Sequence, residues 1–176
     1  MQTSCCGGKS VQRQKPITET LTLYQPLIVV AAVSAVLAAS LAVGGAVPPM
    51  RGLMGVFLCL LATLKFINLS GFADSFSNYD VIARRFRLYA LSYPLLEMFL
   101  GCLYLSGVQL RAANVLTLCL MTLGSIGVVN VIRSGKTVRC ACVGGSFALP
   151  VGRVTLAENC AMAVMAGMGL CHLLAS

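Results

Sequence analysis

The sequence contains no tryptophan, and its aromatic residues amount to only 7% of the chain. The girdle of large rings that often marks a membrane–water boundary is therefore thin, and boundaries have to be read from other signals. Charge is also scarce: 10% of residues are ionised, where a soluble domain has about a quarter. A water-facing surface is hard to build from so few charged groups. No phosphate-binding loop, metalloprotease motif or dinucleotide fingerprint is present, which argues against the common nucleotide- and zinc-dependent chemistries. The internal symmetry expected of many transporters is also missing, so a pore would require several copies. What fills the chain instead is apolar: 58% of its 176 residues are hydrophobic.

The apolar residues fall into long runs. After a polar tail (1–25), runs at about 26–47, 53–69, 88–106, 113–132 and 154–174 are separated by polar or basic stretches. At about 1.5 Å per residue, runs of this length are suited to a hydrocarbon core of roughly 30 Å. Lipid offers no partners for backbone amides, so each run is expected to be a helix that satisfies its own hydrogen bonds. The expected fold class is all-α, a polytopic membrane bundle of about five helices over 26–176. Pro48-Pro49 is expected to end the first span, and short links should make spans one and two, and three and four, antiparallel hairpins. A secretory signal would place its positive charges directly before a short apolar stretch with a small-residue cleavage site; the run that follows this tail is long, so the first span is read as uncleaved.

The net charge of +8 raises the question of nucleic acid. Position argues for a membrane instead, because every basic residue except Lys65 lies before or between the apolar runs. With the amino terminus in the cytoplasm, the inner segments hold Lys9, Arg13, Lys15, Arg84, Arg85, Arg87, Arg133, Lys136, Arg139 and Arg153. The outer loops hold only Arg51 and Arg111. This bias sets the expected orientation, with the carboxyl terminus and His172 outside.

Nine cysteines divide by environment. Cys59, Cys102, Cys119, Cys160 and Cys171 lie in apolar runs, where small hydrophobic packing is the simpler reading and a relay the sharper one. Cys5, Cys6, Cys140 and Cys142 lie in polar segments that the orientation assigns to the cytoplasm, where structural disulfides are rare. Cys140-Ala-Cys142 is the sharpest motif. Two thiols one residue apart can turn toward one soft ion such as Cu(I), or cycle through a strained, easily reduced disulfide. Arg139 and Lys136 beside them favour the thiolate. The bland alternative is two unrelated loop cysteines. Cys5-Cys6 on the tail can supply a second thiol pair, or nothing in particular.

Among the charged residues, Glu97 falls near mid-membrane in the third run, where a carboxylate must be paired or protonated and marks function by default. Lys65 is its expected partner, although snorkelling of a lysine near a helix end is the favoured reading for that residue. Asp74 and Asp80 are read as parts of a solvated loop, with Arg84 and Arg85 as pairing partners. Thr155-Leu-Ala-Glu158 has the spacing of a capping box at the start of the last helix.

Two segments resemble the MauE branch of the DoxX-like membrane proteins. In the stretch 72–104 the shared features are Tyr79-Asp80, Arg84-Arg85, Tyr89, Tyr93-Pro94 and Glu97. In the stretch 136–158 they are the Cys-x-Cys, the Gly144-Gly145 pair, Leu149-Pro150 and Thr155-x-x-Glu158. The resemblance implies a four-helix DoxX-like core plus one helix in a bacterial inner membrane, linked to thiol redox maturation of periplasmic enzymes. MauE itself is associated with forming the disulfide-rich subunit of methylamine dehydrogenase. Some relatives carry a metal-binding or glutaredoxin-like domain ahead of the helices, whereas this chain has a short tail.

The leading expectation is therefore a redox-associated membrane protein in which Cys140 and Cys142 cycle for a client or redox partner. Asp80, Arg84, Arg85 and Glu97 would shape the inner mouth of the bundle. Two other readings stand beside it. One is soft-metal handling with Cys5, Cys6, Cys140 and Cys142 as ligands; the other is an assembly factor without chemistry.

Overall fold

A computed structural model describes residues 17–78, 80, 82–134 and 153–175. Among these residues the protein is entirely helical. The elements are α1 (Ile17–Val43), α2 (Pro49–Ile67), α3 (Leu69–Phe76), α4 (Arg87–Ser106), α5 (Leu110–Ser134) and α6 (Arg153–Ala175). Helices α2, α4, α5 and α6 are long and apolar enough to cross a bilayer, and α1 contains a shorter apolar stretch, Ile28–Val43. The result is the polytopic helical bundle that the apolar runs predict. Large apolar side chains such as Val36, Ile67, Leu95, Phe99 and Val164 point outward, as lipid-facing positions should.

Helix ends differ from expectation in ways that local chemistry explains. The first helix ends on glycines rather than on Pro48-Pro49. Gly45 takes φ +69°, its amide bonds Ala42 O at 3.0 Å, and the Ala46 amide bonds Leu41 O at 3.0 Å. This is a Schellman closure, which needs a left-handed residue that glycine adopts without strain. The prolines instead open α2, with Pro49 at the first helical position, where a missing amide hydrogen costs nothing. At the far end of α4, Gly107 with φ +77° closes the helix in the same left-handed manner.

Packing partners are set by small residues and polar contacts more than by short links. Helix α2 packs most extensively on α4, α5 on α6, and α1 on α2, whereas α4 and α5 share fewer contacts despite their tight turn. At the α2–α4 crossing an added Cβ on Gly101 would lie 2.9 Å from Gly55 O and 2.5 Å from Cys59 Sγ. On the other side, Cβ atoms on Gly169 and Gly124 would meet the side chains of Asn114 and Asn159 at 2.9 and 3.1 Å. Small residues that admit close backbone approach, with polar side chains as bridges, are the usual means of joining helices in lipid.

The two arginines assigned to the outer loops both serve helix ends. Arg51 Nε donates to Tyr104 O at 3.3 Å and Arg111 Nη2 to Leu173 O at 3.4 Å. Each places a cation at the carboxyl end of a neighbouring helix, where carbonyls lack partners and the helix dipole favours positive charge.

The crossing is testable. Gly101→Leu should destabilise the detergent-solubilised protein by about 1–3 kcal/mol through overpacking. Gly167→Leu should change stability by less than about 0.5 kcal/mol, because nothing lies within 4 Å of a Cβ there. Thermal unfolding of the two variants followed by helical circular dichroism checks this, and equal midpoints would contradict the close crossing.

Candidate functional site

The third helix comes from a stretch that reads as a polar loop. Its apolar residues Phe72, Ala73 and Phe76 share one face and are buried, while Asp74 on the opposite face is exposed. Asn68 caps the start, its Oδ1 accepting from the Gly71 amide at 3.0 Å. The buried face stacks against α4: the Phe72 and Phe76 rings lie 5.1 Å apart, and the Phe76 and Tyr93 rings 4.5 Å apart. Tyr89 meets Tyr93 edge-on at 6.0 Å.

These aromatics cover a buried ion pair. Lys65 Nζ donates to both oxygens of Glu97, at 2.6 and 2.5 Å, with the two residues 4% and 2% exposed. The ammonium also sits 5.2 Å from the centre of Phe72 and 4.9 Å from that of Tyr93, within cation–π range. The expected pairing of Lys65 with Glu97 is thus present, and snorkelling is not. The reason is that α3 folds back over the end of α2 and encloses the ammonium before it can reach the surface.

The pair borders a chamber of about 40 Å³ lined by α2, α3, α4, α5 and α6. That is more than the roughly 10–15 Å³ that one water requires, and too little for an organic substrate. Besides Lys65 and Glu97, its polar lining comes from Thr155, Glu158 and Asn159 on α6. Helix α6 already begins at Arg153, so Thr155 lies inside the first turn and not at the cap that the Thr-x-x-Glu spacing suggests. Thr155, Glu158, Asn159 and Met162 share one face through three- and four-residue spacing. Phe57, Glu158 and Met162 also line a mostly apolar groove of about 190 Å³ between α1, α2 and α6. With two carboxylates, one ammonium and space for water, the chamber can hold ordered water hydrogen-bonded to charged side chains.

Other anticipated residues lie elsewhere. Asp80 is 1% exposed and not part of a solvated loop. Its Oδ1 accepts from the Ile82 and Ala83 amides at 2.9 and 2.8 Å, fixing the turn that leads into α4. Its Oδ2 is buried with no hydrogen-bond partner among the described residues. Arg84 and Arg85 are exposed. The observed surface pair is instead Asp74 with Arg87, at 3.0 Å. Cys5, Cys6, Cys140 and Cys142 lie outside the described residues. Among the described residues no group of three or more His, Cys, Asp or Glu side chains is arranged to hold a metal ion. Asn159 escaped sequence reasoning altogether, although the polar stripe on an otherwise apolar α6 was the signal that marks it.

The arrangement of a buried Lys–Glu pair and a basic Cys-x-Cys link can be compared with known families. Residues 38–172 match the family described as methylamine utilisation protein MauE. The chain belongs to the MauE family. No curated protein and no solved structure matches it. The MauE match runs from the last turns of α1 to the last turn of α6, and so includes both the charged chamber and Cys140-Ala-Cys142.

Removing one partner of the ion pair should cost about 3–5 kcal/mol, because the other charge stays buried and uncompensated. Lys65→Met and Glu97→Leu are each expected to lower the unfolding midpoint sharply, and the double variant to recover most of the loss. A double variant no more stable than the singles would contradict the pairing.

Proposed function

We propose that this MauE-family protein supports thiol–disulfide redox or electron transfer during maturation of partner proteins, with Cys140 and Cys142 as the cycling pair. The observation that carries the reading is the position of the charged chamber. The link bearing Cys140-Ala-Cys142 joins α5 to α6, and the first turns of α6 contribute Thr155, Glu158 and Asn159 to the chamber holding Lys65 and Glu97. A change in thiol state is thereby tethered to a site able to hold water and charge.

Thiol exchange needs an accessible thiolate and a matched leaving group, and a basic loop favours both. The loop's basic residues also support the orientation used above: amino terminus and thiols in the cytoplasm, carboxyl terminus in the periplasm of a bacterial inner membrane. With a periplasmic client, electrons then have to cross the bundle, and Lys65, Glu97 and Glu158 are suited to moving the accompanying protons. Asp80 contributes by shaping the inner mouth through the turn it fixes, with Arg84 and Arg85 exposed beside it.

Replacing both Cys140 and Cys142 by Ser should leave the helix content unchanged and abolish the disulfide formation that the protein supports in exported proteins, read by diagonal electrophoresis. A membrane-impermeant maleimide should label the loop thiols only after the membrane is opened, and fully only after reduction. Unimpaired disulfide formation with the double variant would overturn the proposal. A stoichiometric soft metal ion in the purified protein, with thiols that never oxidise, would replace it with metal handling.

A further inference from the structure

Of the five cysteines in the membrane, Cys59 and Cys102 are neighbours across the α2–α4 crossing: the Cys59 sulfur is turned toward Gly101, where an added Cβ would lie 2.5 Å from it, and Cys102 is the next residue. Both are reduced, with Cys59 partly buried and Cys102 exposed on the outer face of the bundle. The backbones come close here because Gly55 and Gly101 face each other. A Cβ on Gly101, the residue before Cys102, would lie 3.1 Å from the Cys59 backbone nitrogen. A disulfide requires its two Cα atoms to be within about 7 Å, and a glycine-mediated crossing is one of the few helix contacts that brings them so near. Packing does not account for Cys102, whose side chain faces outward.

We propose that Cys59 and Cys102 form a redox-active dithiol within the membrane, oxidised to a disulfide by a lipid-soluble quinone. Two S–H bonds break and one S–S bond forms. The two electrons and two protons reduce the quinone to its quinol. The reactant class follows from position: Cys102 faces the lipid phase at the level of the apolar helix interior, where a water-soluble thiol oxidant does not partition and a quinone does. The site is separate from the Cys140-Ala-Cys142 loop, and its chemistry does not depend on the role proposed for that loop.

The test uses the full chain, reduced and then placed in lipid nanodiscs with a fully substituted short-chain quinone, whose ring has no open position for thiol addition. After quenching with an alkylating reagent, peptides are mapped by mass spectrometry and quinol is followed by absorbance. Cys59 and Cys102 should lose alkylation together, appear as one cross-linked species two hydrogens lighter, and yield one quinol per disulfide. Reductant should reverse the link. Cys59→Ser and Cys102→Ser should each abolish it, while the variant with Ser at both 140 and 142 should retain it, which separates this site from the loop. The proposal is overturned if both thiols in helical, unsubstituted protein stay fully alkylatable after quinone exposure, or if either pairs with a different cysteine.

Discussion

The ion pair between Lys65 and Glu97 is the constraint around which the rest of the bundle is arranged. Two charges withdrawn from water are costly, and their mutual attraction offsets that cost only when geometry and additional contacts are favourable. Here both carboxylate oxygens accept from one ammonium, and two aromatic faces lie within range of the same cation. Helix α3 is needed to supply one of those faces, and Asp80 is needed to fix the turn by which the chain leaves α3 and enters α4. A segment that looks dispensable between two membrane spans is therefore the roof of the charged site.

The same pair fixes which helices pack together. An antiparallel α2 and α4 place Lys65 opposite Glu97 at one level and Gly55 opposite Gly101 at another. Small residues permit the approach that the charges require, and the charges fix the register that the small residues alone would leave loose. The α5–α6 pair is held by a different solution, asparagines set against glycines. The chamber lies where these two units face each other, which is why its lining draws on almost every helix.

The spans were legible because each is a long apolar run, and lipid leaves such a run little choice but a helix. The bounds of α4, 87–106 against an expected 88–106, show how far that signal reaches. Glu97 was legible because a carboxylate in mid-membrane needs a partner, but for Lys65 snorkelling was the favoured reading, because the cover that α3 places over its ammonium does not show in the sequence. The burial of Asp80 was not legible, since its environment depends on α3, and α3 owes its helicity to three apolar side chains packing on α4 rather than to a long periodic pattern. The role of Pro48-Pro49 was misjudged for a local reason: proline blocks the interior of a helix but suits its first turn, and Gly44-Gly45 just ahead already supplied the stop. Arg51 and Arg111 read only as exceptions to a charge bias, because the carbonyls they cover belong to helices distant in sequence.

The α2–α4 interface carries both the buried ion pair and two free cysteines, Cys59 and Cys102. From Lys65 back to Cys59, and from Glu97 on to Cys102, the chain advances between one and two helical turns in the same direction across the membrane, roughly 7–9 Å. The charged pair and the thiol pair therefore sit on the same two rigid rods at neighbouring levels. Anything that changes the separation or rotation of those rods at one level is felt at the other, because a close-packed crossing has little slack to absorb it. A covalent bond between Cys59 and Cys102 would fix the crossing at the level of the thiols. The hydrogen-bond geometry of Lys65 and Glu97, and the space available to water beside them, would then be set partly by thiol state. A bond formed between these two thiols would thus reach the charged chamber through the helix crossing itself.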